Sequence, residues 1–160
     1  MAAALDGDLR RCVVPEVTRV NDDLANPALD PELEHGEVVA GAPPDFQVLT
    51  GGAAVVYPAL AVGGRGAILA LADLLPEKCV ELFQLFQQGR HEQARQLQLQ
   101  LVGASKLVVS ENGIAGLKFA MDLRGYTGGV PRPPLLPLTE EKKNAIAALL
   151  AELHPAAARV

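Results

Sequence analysis

The chain has 160 residues, of which 49% are hydrophobic and only 4% aromatic, and its formal net charge is −5. This length and apolar content suffice for the core of one domain, filled mainly by leucine, valine and alanine. Residues 1–40 hold nine acidic and three basic side chains, so they carry −6 and the rest of the chain about +1. An acidic chain without a basic patch is not expected to bind nucleic acid.

Cysteine usage and hydropathy predict the compartment. Cys12 and Cys79 are the two cysteines, too few for a disulfide framework, and they suit a reducing cytoplasm. Residues 1–11 lack the apolar region of a signal peptide, and the apolar run Ala53–Val62 is too short to cross a bilayer. We therefore expect a cytoplasmic protein without a membrane partner. The three histidines are scattered, so we expect neither a metal site nor a cofactor.

Residues 1–37 give weak signals of secondary structure. Cys12–Val14 would suit a strand, but Pro15 interrupts it. Asn21–Pro31 is acidic and broken by proline, which is typical of a loop. Glu32–Ala40 fits a short helix, although segment 1–37 as a whole is expected to be irregular.

Two short apolar runs, Phe46–Thr50 and Ala67–Leu71, are bounded by glycine and predict strands. The segment between them, Ala53–Val62, is apolar nearly all round and predicts a buried helix. Strands that alternate with helices form right-handed βαβ units, so we expect two parallel strands joined by this helix. The continuous apolar character of the second run suits a parallel strand covered on both faces.

The chain after Leu75 predicts helices. Leucines and other apolar side chains recur there at three- and four-residue spacings, and Gly89 and Gly125 are suitable stops. Tyr126–Leu138 is rich in proline and glycine and is expected to lie extended over the helices. Thr139 is a suitable N-cap for the last helix. The expected helices span residues 76–88, 91–109, 115–124 and 140–153.

Several sequence motifs occur in an order that carries a family resemblance. They are FQVLTG, LAVGGRGAI, LADLLPEKCVELFQLFQQGRHEQARQLQ and GIAGLKFAMDLRGYTGGVPRPPLLPLTEEKK. From Val38 to Leu153 the chain resembles the C-terminal half of the dihydrodipicolinate synthase/N-acetylneuraminate lyase family. Within it, the likeness is greatest to the 4-hydroxy-2-oxoglutarate aldolase and dihydrodipicolinate synthase branches. The first 37 residues do not fit.

The resemblance implies an α/β fold, a partial (β/α)8 barrel made of the last βα units and a C-terminal helical tail. In this division, residues 38–75 supply the last strands and helix of the barrel. Residues 76–160 supply the final barrel helix and the helical region. A complete barrel needs about 250 residues, and only two βα units are legible in this chain.

The family's reaction depends on a lysine whose amine condenses with the ketone of pyruvate, forming a Schiff base that serves as an electron sink. The family pattern implies that this lysine falls within Arg19–Asp30, but the chain has no lysine before Lys78. The family's proton-relaying tyrosine is also missing, because neither Tyr57 nor Tyr126 stands in its place. The turn that holds the substrate carboxylate is absent as well. We therefore assign no catalytic residue.

Two positions match residues that shape the substrate site in the family. Gly51 matches a glycine at the mouth of a strand, where the backbone approaches the substrate closely. Ile68 matches the position whose backbone carbonyl faces the Schiff-base lysine in a whole barrel. Both are expected at the strand ends where barrel active sites form. Taken alone, Gly51 is more simply a turn glycine and Ile68 a core residue.

Three other features have simple interpretations. Lys118 is the most attractive substitute nucleophile, but the family also has a lysine at this place in its tail, so a solvated or ion-paired side chain is expected. Gly63–Gly66 precedes a strand, whereas phosphate loops follow one, so it is expected to be a helix stop and turn. Arg132 matches an arginine of the family's tail and is expected to serve in packing or an interface.

The whole chain has two interpretations. In the first, which we prefer, it is the C-terminal part of a pyruvate-handling class I lyase, truncated and inactive because the lysine is missing. In the second, it is a non-catalytic binding or oligomerisation module derived from that family. Both predict a homo-oligomer or self-association, because a partial barrel leaves apolar faces uncovered. A small 2-oxo acid is the implied substrate of intact relatives.

Overall fold

The structure, a computed structural model, describes residues 31–153. The expectations for a broken strand at Cys12–Val14 and a loop that begins at Asn21 fall outside the described residues. The first element is α1, Pro31–Gly41, which confirms the short helix expected at Glu32–Ala40. Residues 31–37 are therefore helical, and the expectation of irregular structure up to residue 37 is wrong for them.

Helix α1 lies close to the turn after the next helix. A Cβ on Gly64 would lie 2.8 Å from Nε2 of His35 and 2.6 Å from the backbone oxygen of Ala59. Gly63, with φ +105°, has the backbone conformation that glycine adopts readily. Gly63 and Gly64 end the helix that precedes them, as expected, and allow α1 to pack closely against this turn.

A parallel pair of strands lies at the centre of the first half. β1, Leu49–Thr50, pairs in parallel with β2, Gly66–Ala67, with Leu49 opposite Gly66 and Thr50 opposite Ala67. The connection is a 3-10 turn, Ala53–Val55, followed by α2, Val56–Ala61. The expected parallel strand–helix–strand unit is confirmed, although its regular strands are shorter than expected.

The second strand does not extend to Leu71, as the apolar run predicted. Leu69 is still extended, but Ala70–Asp73 form a 3-10 turn. Leu71 is buried in this turn, and Leu74 and Leu75 are fully buried just after it. Turning the backbone brings all three side chains into one core, which alternating strand geometry does not allow. A short apolar run cannot show this difference by periodicity.

The tail is helical at the expected places. Gly89 and Gly125 each follow a helix, and their φ angles of +72° and +80° are those of glycines that end helices. The Thr139 hydroxyl accepts a hydrogen bond from the Lys142 N–H at 3.4 Å, so it caps the last helix. The helices are α3, Pro76–Gln87; α4, His91–Ala104; α5, Gly113–Leu123; and α6, Glu140–Leu153.

The expected single helix over residues 91–109 is interrupted. The α-helix ends at Ala104, and the chain continues as a wider π-helical turn, Ser105–Ser110. Wider winding leaves backbone carbonyls to be satisfied locally. The Asn112 side-chain amide donates to the Leu107 oxygen at 2.8 Å.

Leucine and alanine fill the core, as the scarcity of aromatics predicted. Helix α4 contributes the buried side chains of Ala94, Leu97 and Leu101 to it. No helix within residues 31–153 has the length and apolarity that a membrane crossing requires. The largest fully buried side chains are Leu71, Leu74, Leu75, Leu82, Leu101, Val108 and Ile146.

Candidate functional site

Gly51 and Ile68 lie beside each other at the carboxyl ends of the two strands. The Ile68 N–H donates to the Thr50 oxygen at 2.9 Å, which continues the parallel pairing past β2. Gly51 follows Thr50 directly, so its backbone emerges at the same edge. We call the backbone of Gly51, Gly52 and Ile68 the strand-end site.

The structure places Gly51 in the turn after β1 and shows that Ile68 is not a core residue. Gly51 is not among the glycines with positive φ, and a Cβ placed on it would meet no described atom within 4 Å. Neither backbone conformation nor a close neighbour within residues 31–153 therefore requires glycine there. The Ile68 side chain is 56% exposed, so it is not a core residue of the described chain. The strand-end site is open.

Thr50 supports this edge and was not singled out by the sequence. Thr50 is only 7% exposed, and its hydroxyl accepts a hydrogen bond from the Gly52 N–H at 3.3 Å. A threonine side chain can hold the backbone two residues ahead in this way. The bond fixes the turn that carries Gly51.

A second support comes from helix α4. Gln98 is 5% exposed; its Oε1 accepts from the Tyr57 N–H at 2.7 Å, and its Nε2 donates to the Ala53 oxygen at 2.9 Å. The two bonds bracket the 3-10 turn that follows Gly52. The sequence analysis missed Gln98 because polar and apolar residues alternate over Gln96–Gln100. In a helix, however, Gln98 lies one turn after Ala94 and therefore on the buried face.

The five lysines of the chain all belong to the helical half. Lys78 faces an outer groove between α3 and α4, together with Arg90 and Glu81. Lys106 is exposed, with 3.9 Å between its Nζ and Glu111 Oε1. Lys143 donates to Glu140 at 2.7 Å. Lys142 is exposed on α6, so these four amines face an outer surface or a helical neighbour.

Lys118, the most attractive substitute nucleophile, tethers the extended tail segment. Its half-buried Nζ donates to the Gly128 oxygen, and Asp122, one turn further along α5, accepts from the Gly128 N–H at 2.7 Å. The Lys118 amine is therefore engaged by the backbone of the tail segment. The expectation of a solvated or ion-paired lysine is corrected to a tether.

The remaining candidates also have structural roles. Tyr57 makes an edge-to-face contact with Phe86 at 5.7 Å between ring centroids. The Arg65 N–H donates to the Val48 oxygen at 2.8 Å, so the glycine-rich stretch is a turn into β2 as expected. Arg132 and Tyr126 are exposed in the extended tail segment.

Titratable groups that bind metals or act as nucleophiles are dispersed. Within residues 31–153, no three His, Cys, Asp or Glu side chains are placed to share a metal ion. Burial, with a smaller contribution from the charge of Glu77, raises the pKa of the Cys79 thiol to about 11. Such a thiol is neutral at physiological pH and is not a nucleophile.

A parallel strand pair with an open edge at its carboxyl ends, followed by a helical tail, is the arrangement expected at the end of a (β/α)8 barrel. The comparisons agree with this class. A sequence model of the dihydrodipicolinate synthetase family matches residues 29–153, so the match begins earlier than the resemblance at Val38 suggested. The chain belongs to the dihydrodipicolinate synthetase family.

Individual relatives support the same assignment. The 4-hydroxy-tetrahydrodipicolinate synthase of Acetivibrio thermocellus is 39% identical over 106 residues, which are 66% of this chain and 36% of that protein. The enzyme of the same name from Archaeoglobus fulgidus is 31% identical over 118 residues, 74% of this chain and 41% of that protein. The chain therefore spans about two fifths of the length of these relatives.

Solved structures confirm the partial barrel with its helical tail. A putative dihydrodipicolinate synthase from Thermus thermophilus superposes with a TM-score of 0.71 at 31% identity, over 78% of this chain and 43% of that one. A prophage protein of the dihydrodipicolinic acid synthase family from E. coli K12, solved in complex with pyruvate, superposes with a TM-score of 0.67 at 27% identity, over 78% of this chain and 44% of that one.

Proposed function

We propose that the chain supplies the last βα units and helical tail of a pyruvate-handling lyase, with Gly51 and Ile68 on the edge of a site for a small 2-oxo acid. The observation that carries this proposal is the open strand-end site, where an uncrowded glycine adjoins an exposed isoleucine. Active sites of (β/α)8 barrels form at this end of the strands. The pyruvate complex of the E. coli K12 relative supports the ligand class.

We further propose that this chain by itself is inactive as an aldolase. In Schiff-base chemistry, a lysine amine attacks the keto carbon, water leaves, and the iminium accepts the electron pair when the carbon–carbon bond breaks. The support is the position of the five lysines. Lys106, Lys142 and Lys143 lie on helical surfaces, the Lys118 amine contacts the tail segment, and Lys78 lies in the groove between α3 and α4. Gly51 and Ile68 can shape a site but cannot supply this electron sink.

The retro-aldol reaction of 4-hydroxy-2-oxoglutarate tests this proposal. Cleavage of this substrate releases pyruvate, which lactate dehydrogenase reduces as NADH is oxidised. We expect no NADH oxidation above that of buffer, while an intact family member assayed in parallel consumes NADH. Catalytic turnover by the purified chain, abolished by one Lys→Met substitution, would refute the proposed inactivity.

A second function, self-association as a binding or oligomerisation module, is favoured by the exposed apolar side chains. Val130 and Leu136 in the extended tail segment are 79% and 81% exposed. Large side chains of this kind mark interfaces when they form a contiguous patch. Others that are at least two fifths exposed are Val38, Val62, Ile68, Leu99, Ile114, Leu123, Tyr126 and Leu135.

We also place the chain in the cytoplasm. The support is the cysteine usage, since Cys79 is a free, half-buried thiol in the structure. Fractionation of cells that express a tagged chain checks this, and recovery with a secreted or membrane fraction would oppose it.

A further inference from the structure

Helix α4 reaches across the fold to the turn that follows the strand-end site. Gln98 is separated by 41 residues from Tyr57 and by 45 from Ala53, and it bonds the backbone of both. Tyr57 stands in the first turn of α2, where a backbone N–H has no partner within the helix. Gln98 satisfies this N–H from another element.

The chemistry of the side chain suits this place closely. A primary amide presents an acceptor and a donor at a fixed separation, and both are used: Oε1 for the Tyr57 N–H and Nε2 for the Ala53 oxygen. The flipped amide would place N–H against N–H and oxygen against oxygen. A carboxylate of the same shape could accept but not donate, and an apolar side chain would leave both backbone groups unpaired.

We propose that Gln98 is a positioning residue for the strand-end site. Its two hydrogen bonds hold the 3-10 turn Ala53–Val55 against α4, and this turn begins one residue after Gly52. Thr50 holds Gly52 from the strand side, so the backbone of Gly51 and Gly52 is held between two buried polar side chains. The functional meaning of this placement rests on the proposed 2-oxo acid site, whereas the placement itself does not.

Nuclear magnetic resonance of the isotope-labelled chain tests the proposal directly. The variants are Gln98→Leu, Gln98→Glu and the matched control Gln100→Leu, at an exposed glutamine on the same helix. In both Gln98 variants, we expect the amide resonances of Gly51, Gly52 and Ile68 to shift. Exchange of the Tyr57 amide should quicken about tenfold or more in Gln98→Leu, the factor that corresponds to losing one buried hydrogen bond. Gln100→Leu should leave all four amides unchanged.

Two outcomes would overturn the proposal. One is a Gln98 variant in which Tyr57 exchanges faster but Gly51, Gly52 and Ile68 keep their resonances, which would limit Gln98 to stabilising α2. The other is unchanged exchange at Tyr57 in Gln98→Leu. If Gln98→Leu does not fold, Gln98→Glu decides, since it keeps the bond to the Tyr57 N–H and loses only the donor to Ala53. Unchanged resonances of Gly51, Gly52 and Ile68 in Gln98→Glu would then overturn the proposal. Failure of the 2-oxo acid proposal appears in the aldolase assay and leaves these resonances unaffected.

Discussion

At the scale of single residues, buried polar side chains act on the backbone of distant or turning segments. Thr50 accepts from Gly52, and Gln98 joins α4 to the turn before α2. A buried polar group is costly unless it is hydrogen-bonded, so each of these residues fixes a local geometry as well as contributing stability. The strand-end site has two such residues beside it.

Cys79 should react slowly with alkylating reagents. Burial raises the pKa of its thiol from 9.0 to about 11, so at pH 8 the thiolate fraction falls about a hundredfold. Iodoacetamide labelling of a Cys12→Ser variant, followed by mass spectrometry, measures this rate. The same chain in urea is the control and should react at the rate of a free thiol. Equal rates in buffer and in urea would show that the thiol is not buried.

The same pKa shift predicts how stability depends on pH. The folded chain favours the neutral thiol, so this contribution is complete below pH 9 and is lost as the pH rises through about 11. The difference in the free energy of unfolding between the parent and Cys79→Ala separates the contribution of the Cys79 thiol from that of lysine and tyrosine titration. From pH 9 to 11, the free energy of unfolding of the parent should fall relative to that of Cys79→Ala. A constant difference over that range would contradict the shift.

Lys118→Met should loosen the extended tail segment. The substitution removes the bond to the Gly128 oxygen, and loss of a hydrogen bond to a charged group costs about 1.5–3 kcal/mol. Urea unfolding measures the loss, and limited proteolysis should show earlier cleavage between residues 126 and 138. Lys142→Met, at an exposed position of α6, should change neither. Equal behaviour of the two variants would mean that Lys118 does not tether the segment.

At the scale of elements, the buried face of each helix determines which apolar side chains contribute most to stability. In α6, Ile146 and Leu150 are buried, while Leu149 is half-buried at the edge of the core. The repeating leucines predicted α6 and its apolar face, but spacing alone does not distinguish the centre of a face from its edge. We therefore expect a substitution at Ile146 to destabilise the chain more than one at Leu149.

Ile146→Ala should destabilise the chain by about 2–5 kcal/mol, because it leaves a cavity where the side chain is fully buried. Leu149→Ala is the matched control and should cost clearly less. Thermal or urea unfolding compares the two. If Leu149→Ala proved the more destabilising, α6 would present a different face to the core.

The sequence predicted elements better than their ends. Glycine stops and leucine spacing located α3, α5 and α6, because these signals are local. The strand expected to reach Leu71 and the single helix expected over 91–109 were wrong in part. The 3-10 turn at Ala70–Asp73 and the π-helical turn Ser105–Ser110 depend on contacts with the rest of the core. The juxtaposition of Gly51 and Ile68 followed from parallel pairing, whereas Gln98 could not be assigned without the fold.

At the scale of the whole molecule, the chain is part of a barrel with a single parallel strand pair within residues 31–153. Exposed apolar side chains occur on α1, around α2 and in the extended tail segment, with Leu136 81% exposed. Surfaces of this kind favour association. The same fold thus accounts for the lyase resemblance and for the proposed oligomer.

Sedimentation velocity should detect this association as a species larger than the monomer whose fraction rises with concentration. Replacement of Val130 and Leu136 by serine removes two of the most exposed apolar side chains and should shift the distribution toward monomer. Leu99→Ser, an exposed position on α4, serves as a separate probe of the helical surface. A parent chain that stays monomeric at high concentration would contradict the proposed self-association.

The most direct test of the central claim, a barrel end without a Schiff-base amine, is reductive trapping with pyruvate. Borohydride supplies a hydride that converts any lysine iminium to a stable secondary amine, and intact-mass and peptide measurements then locate it. We expect the chain to keep its mass, apart from trace labelling equal to that of the urea-unfolded chain. A single folded-state adduct on one lysine, with Lys118 the first to examine, would contradict the account.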